Sequence, residues 1–229
     1  MNLLSGILGS SLGKKYVMAI TGVILFGFVI GHMLGNLQIF LGRDSINSYA
    51  HFLKSKPGLL WVARLGLLLM GILHVWAAVK LSLENKTARP IPYADTRLVA
   101  ASYASRTMMW SGVIIFLFVV YHLMHFTAGI TNPEYLGLEE TLPDGTQRHD
   151  VYRMIILGFS NLWVAGFYIA SMALLCLHLS HGVSSLFQSL GLKNKYYGRN
   201  IDRFAKASAL IIFLGNCSIP VAILFKFVY

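Results

Sequence analysis

Charge is scarce in this sequence. Charged residues fill 12% of its 229 positions, about half of what a soluble globular domain carries. With 56% hydrophobic residues, no soluble catalytic domain fits in what the apolar stretches leave over. Cysteine is nearly missing too. Cys176 and Cys217 are the only two, and both sit inside apolar stretches, which excludes a disulfide framework and a cysteine-rich metal motif. No repeat with a period of about 20–50 residues is present, so a solenoid is excluded. The first apolar stretch is too long for a signal-peptide core and no cleavage pattern follows it, so it reads as retained.

What the sequence does hold is five apolar stretches: Lys15–Leu41, Leu59–Leu83, Met108–Ile130, Met154–Leu186 and Phe204–Phe227. Each is long enough to cross the roughly 30 Å hydrocarbon core of a bilayer as a helix. The expected fold is all-α and integral to the membrane, one transmembrane domain over 1–229. Four helices would form a core, with a peripheral fifth for packing. The net charge of +10 does not point to nucleic acid, because the cations cluster at helix ends. Segments with Lys14 and Lys15, from Lys80 to Arg106 and from Lys193 to Lys206 hold 12 of the 19 basic residues, and the loop Asn132–Asp150 is acidic. By the excess of cations on the inner side, the N-terminus and the basic loops face the cytoplasm and the C-terminus faces out. The chain is therefore expected in the cytoplasmic membrane.

Several local features follow. Met1–Leu12 has leucines and isoleucines at near-helical spacing and reads either as an interfacial helix or as a frayed end. Gly27, Gly31 and Gly35 recur every four residues around His32, which suits close helix packing or room for a bound ring. The segment after the first stretch is polar, reads as a loop carrying His51, and ends at Pro57-Gly58. Arg64 lies near the start of the second stretch, where it can snorkel outward or meet an anionic group. Asp144-Gly145 marks a turn, and Pro220 is expected to kink the last helix.

Six histidines lie inside apolar stretches: His32, His74, His122, His125, His178 and His181. An imidazole in hydrocarbon needs a partner or a metal. His32 lies 17 residues after Lys15 and His122 lies 16 after Arg106, so both reach a similar depth on helices running outward, roughly 25 Å along the axis. His74 lies 15 residues after Leu59 and His178 lies 16 after Leu162, matching near the inner side. Two layers, each with imidazoles from two helices, fit two b-type haems stacked across a four-helix core. Two histidines without carboxylate or thiolate neighbours fall short of a zinc site. Interhelical hydrogen bonding, a proton relay and a haem-free anchor are the competing uses. Depth prefers His122 to His125. Gly182, four residues after His178 on the same helix face, prefers His178 to His181, because a glycine leaves room for a porphyrin. Spacing alone leaves both choices open. The unused histidines would serve hydrogen bonds, haem propionates or quinone. His51 and Arg64 are weaker candidates for quinone contact.

Four motifs then occur in order: IGHMLGN with the downstream INSYAHFL, ILHVWAAVK, VYHLMHFT and HLSHGVSSLFQSLG. Together they resemble the single-subunit, five-helix, dihaem cytochrome b anchor of succinate:quinone oxidoreductases, the succinate dehydrogenases and fumarate reductases. The resemblance covers nearly the whole chain. It implies His32 with His122 on a distal haem and His74 with His178 on a proximal haem. It also implies a flavoprotein with covalent FAD, an iron–sulfur protein docked on the basic cytoplasmic loops, membrane lipid and a quinone (menaquinone or ubiquinone) as substrate, with the complex able to form a higher oligomer. A dihaem anchor of another respiratory complex, such as formate dehydrogenase, is the related alternative. Some relatives carry a glutamate of a proton path two positions before the ligand that His178 matches. Here that residue is Cys176, so quinone chemistry at the distal side is expected to be electrogenic. Ser184 stands where the pattern often has an aromatic residue.

Overall fold

The structure is a computed structural model that describes residues 6, 9–88 and 103–229. Most of the amphipathic N-terminal segment and the centre of the basic connection, 89–102, lie outside the described residues. Of the described residues, 81% are helical. Helix α1 spans Ser11–Leu37, starting where the Ser10 hydroxyl accepts from the Gly13 amide at 3.0 Å. It tightens into a 3₁₀ turn over Gln38–Leu41 and stops at Gly42, whose φ of +102° favours glycine. Helices α2 (Arg43–Lys54), α3 (Pro57–Thr87) and the short α4 (Tyr103–Arg106) follow. Next is α5 (Met108–His122), which widens into a π turn over Leu123–Thr127. A 3₁₀ turn at Pro133–Gly137 leads into an antiparallel hairpin, β1 (Glu139–Thr141) and β2 (Gln147–His149), with Glu140 opposite Arg148. The hairpin turns at Asp144-Gly145: the Asp144 carboxylate accepts from the Thr146 amide at 2.9 Å and Gly145 has φ +82°. Helices α6 (Val151–Phe159), α7 (Leu162–Ser189) and α8 (Gly198–Leu224) complete the fold.

Two elements differ from the sequence expectation. The polar segment after the first stretch is helix α2 rather than a loop. It is polar on one side only, and Ile46 and Asn47 are buried against the rest of the fold. The fourth stretch is two helices, because Asn161 ends the continuity. Its side chain accepts from the amides of Trp163 at 2.9 Å and Val164 at 3.3 Å, which makes it the N-cap of α7.

Among the described residues five segments are long and apolar enough to cross a membrane: Ser11–Leu41, Pro57–Thr87, Met108–Thr127, Leu162–Ser189 and Gly198–Leu224. Their outward faces are apolar. Along α3, Val62 is 70%, Leu65 59% and Leu68 60% exposed, a surface that water would not tolerate over such a length but lipid does. This is a multi-pass membrane protein.

Helix α1 packs on α3, α7 and α8, and α7 packs on α5 and α8. The contact of α7 with α8 is the most extensive in the fold, and small residues allow it: Ala165, Ala205 and Ala209 are fully buried. The fifth transmembrane helix, free of histidine, is thus a principal packing element. Pro220 lies inside it, within its buried stretch. Of the three spaced glycines in α1, Gly27 and Gly31 face open space, whereas Gly35 lies under the ring of Tyr49, where an added Cβ would come within 2.8 Å of Cε1.

A polar clamp joins α2, the hairpin and α6. Asp150 caps α6 by accepting from the Arg153 amide at 3.1 Å, accepts from Asn47 Nδ2 at 3.0 Å and pairs with Arg43. Asn47 is fully buried and also donates to Glu140 at 2.8 Å, while its carbonyl oxygen accepts from the Tyr152 amide at 2.9 Å. Arg148 donates to Glu140, Ser48 and Asp44 at 2.9, 2.7 and 2.7 Å. Burial pushes the Asp150 carboxyl up, but bonds from Asn47, the Arg153 amide and Arg43 outweigh it and leave it below the usual carboxylate range. The Asn47 bond and the neighbouring Arg148 and Arg43 lower Glu140 as well, against the opposing effect of burial. A carboxylate lowered by folding contributes stability above its unfolded pKa and loses it as pH falls through the folded value. The clamp is therefore expected to hold at neutral pH and loosen below about pH 4. Asp150→Ala, which strands Arg43 and Asn47, is expected to cost roughly 3 kcal/mol. Amide hydrogen exchange in the hairpin measures both effects: faster exchange in acid and in the variant is expected, and unchanged protection would refute the clamp.

Candidate functional site

His74 and His178 each meet a hydroxyl and a glycine from a neighbouring helix. His74 on α3 has Nδ1 3.1 Å from Thr21 Oγ1 on α1, and a Cβ added at the adjacent Gly22 would lie 3.5 Å from His74 Cε1. His178 on α7 has Nδ1 3.2 Å from Ser111 Oγ on α5, and a Cβ at Gly112 would lie 3.7 Å from His178 Cε1. The hydroxyl protons are already committed. Thr21 donates to the Val17 carbonyl at 2.7 Å, and Ser111 donates to the Met108 carbonyl at 3.1 Å. With its proton on its own helix, each hydroxyl can accept from its histidine, the pairing that places the ring proton on Nδ1 and the lone pair on Nε2. The two imidazoles lie within electrostatic reach of each other. Sequence reasoning missed Thr21-Gly22 and Ser111-Gly112. The available signal was a hydroxyl–glycine dipeptide inside each of two apolar runs.

His32 and His122 are arranged differently. The His32 and His122 rings meet edge to face, with centroids 5.7 Å apart. Phe28 stacks on His32 at 5.4 Å and Phe118 lies 5.9 Å from His122. His32 Nε2 is 3.1 Å from the Asn36 amide nitrogen. The Tyr168 hydroxyl stands between two histidines, 3.4 Å from His122 Nδ1 and 3.0 Å from His125 Nδ1. His125 is only 1% exposed and packs on Phe126 and Tyr135, at 4.0 and 5.8 Å. His122 and His125 share Tyr168 and Phe126 as neighbours, but His122 also meets His32 and His125 also meets Tyr135.

Of the sequence candidates, His32 is thus brought to His122, and His74 to the neighbourhood of His178. His181 lies within electrostatic reach of Lys193 and Asp202. Gly182 keeps its face open, with only the Met108 methyl 4.0 Å from an added Cβ. Arg64 is exposed and lies over the Trp61 ring at 5.2 Å, and His51 is exposed at the end of α2. Among the described residues no hydrogen bond or ring contact joins either of them to the histidine pairs.

α3, α1, α7 and α5 follow one another in contact, and the His32–His122 ring contact joins α1 to α5. Comparison of the chain with protein-family models, with curated proteins and with solved structures finds no match.

The donor set bears on what the site holds. Among the described residues no three His, Cys, Asp or Glu side chains converge as a bare metal ion requires. A haem draws on only two axial imidazoles. His74 and His178 fit that use, since each ring is held through Nδ1, among the described residues Nε2 makes no hydrogen bond, and a glycine keeps the ring edge uncrowded. Nitrogen-15 NMR of the histidine side chains tests the assignment. His74 and His178 are expected as Nδ1–H tautomers, with Thr21→Val and Ser111→Ala each changing the signal of its own partner. An Nε2–H signature would reverse the assignment.

Proposed function

We propose that this chain is the dihaem cytochrome b membrane anchor of a succinate:quinone oxidoreductase. The observation that carries the reading is the pair His74 and His178, within electrostatic reach of each other and with both Nδ1 atoms anchored by hydroxyls. The second pair, His32 and His122, joins α1 to α5 in a different way, with its rings in direct edge-to-face contact. His74 and His178 would hold the proximal haem, and His32 and His122 the distal one. Bound there, two b-type haems supply one-electron carriers at two depths of the bilayer. The chain's own residues do the positioning. Thr21 and Ser111 fix the orientation of the inner ligands, Tyr168 supports His122, and the surrounding apolar side chains keep water away. His125, held by Tyr168 and the aromatic cluster, is a packing residue in this reading, and His181 belongs to the inner helix ends.

The succinate assignment rests on the four ordered motifs of the sequence. On that reading the basic helix ends face the cytoplasm and meet an iron–sulfur protein and its FAD-bearing flavoprotein, which oxidise succinate. The anchor passes electrons on to membrane quinone.

The haem content of the purified chain and its histidine variants tests this. About two haems per chain are expected. His74→Ala or His178→Ala should remove one, and His32→Ala or His122→Ala the other. His125→Ala and His181→Ala should keep both. Thr21→Val should weaken retention of the proximal haem by roughly 10–100-fold, with Thr21→Ser restoring it. An intact but colourless protein would refute the reading, and co-purification with a formate-oxidising partner would reassign the complex.

A further inference from the structure

Tyr168 on α7 is buried, and its hydroxyl touches two imidazoles, His125 Nδ1 at 3.0 Å and His122 Nδ1 at 3.4 Å. Among the described residues it has no other hydrogen-bond partner. Thr21 and Ser111 differ, since each has a carbonyl of its own helix to take its proton. The Tyr168 hydroxyl bonds no carbonyl, and leaving its proton idle in a buried site is costly. The single proton therefore goes to one histidine, and the oxygen accepts from the other.

Two directions satisfy all three groups. Either His122 donates to Tyr168 and Tyr168 donates to His125, or the order is reversed. The use of His122 selects between them. A nitrogen that ligates a metal carries no proton, and Nε2 of His122 makes no hydrogen bond among the described residues. With Nε2 as the ligand the ring proton sits on Nδ1, so His122 is the donor. The surroundings keep water from competing for these bonds. Phe159 closes on Tyr168 edge to face at 4.9 Å, and Tyr135 and Phe126 cover His125. Gly158 on α6 permits that closure, because a Cβ there would stand 2.6 Å from the Phe126 ring and 3.3 Å from His125 Cε1.

We propose that Tyr168 and His125 are positioning residues for His122, joined in a directed hydrogen-bond relay: His122 Nδ1–H donates to the Tyr168 oxygen, and the Tyr168 proton goes to His125 Nδ1. The relay rests on the haem reading above. It holds the His122 ring with Nε2 bare. It also tunes that nitrogen, since a hydrogen bond accepted from Nδ1–H makes the ligand more basic. Passing the hydroxyl proton on to His125 strengthens the acceptance, because bonds in a chain polarise one another. A more basic ligand favours the oxidised metal, so the relay keeps the reduction potential at His122 low. Besides its packing, His125 thus acts on the ligand, and only through Tyr168.

The test uses the full chain purified with its haems. Nitrogen-15 NMR of the reduced protein is expected to show His122 as Nδ1–H and His125 as Nε2–H. In redox titrations Tyr168→Phe should raise one midpoint potential, the one that His32→Ala abolishes, and leave the other in place. The expected change is about tenfold in the reduction equilibrium, or roughly 59 mV for one electron. His125→Phe should raise the same potential by less, and the double variant no further than Tyr168→Phe alone. Tyr121→Phe should move neither potential, since the Tyr121 ring lies 5.5 Å from His125 and 6.0 Å from Tyr168 but makes no hydrogen bond to them among the described residues. A colourless wild type refutes the haem reading and the relay with it. Two haems together with a proton on His125 Nδ1, with unmoved potentials in Tyr168→Phe or with shifts that add in the double variant refute the relay alone. If Tyr168→Phe loses haem, the tautomers of the wild type and the potential of His125→Phe decide.

Discussion

An imidazole carried into hydrocarbon must find a partner, and that requirement organises the interior of this protein. His74 and His178 are met by Thr21 and Ser111, His32 by Asn36, and His122 and His125 by the shared hydroxyl of Tyr168. These contacts explain residues that would otherwise look misplaced, such as a serine and a threonine in the middle of apolar runs. They also separate the two layers physically. His74 and His178 are fixed through one nitrogen by a threonine and a serine hydroxyl. His32 and His122 meet each other and a wall of aromatic side chains.

Packing is divided from chemistry along the same lines. Helices α1, α3, α5 and α7 bring the histidines, and α3, α1, α7 and α5 follow one another in contact. The most extensive helix contact lies elsewhere, between α7 and α8, where Ala165, Ala205 and Ala209 are fully buried. Helix α8 thus anchors α7 and α1 through small side chains.

Both ends of the bundle are tied by polar groups. At one end Lys14, only 5% exposed, pairs with Glu84 at 2.6 Å and joins the start of α1 to the end of α3. Lys193, Asp202 and Ser184 join α7 to α8 on the same side. At the other end the clamp around Asn47 and Asp150 fixes α2, the hairpin and α6. Helix-to-helix attraction in lipid has little hydrophobic drive, so such ties outside the hydrocarbon settle which helix ends stay together.

The five apolar stretches were evident from composition, because a run long enough to cross a bilayer needs no tertiary information to recognise. Counting residues to each histidine also placed His32 level with His122, since rise per residue is constant along a helix. Other features depended on contacts between residues far apart in the chain. Helix α2 reads as polar until Ile46 and Asn47 have something to be buried against. The break at Asn161 is a capping choice that an apolar average conceals. The sharing of Tyr168 by His122 and His125 joins residues more than 40 positions apart, and the partnership of Thr21 with His74 spans 53 residues. Sequence alone determined the membrane class, the spans and the depth of each histidine, because those follow from local composition and helical rise. Tertiary structure decided which rings face each other, which hydroxyls hold them and which helix carries the packing, because each depends on surfaces that meet only once the bundle has formed.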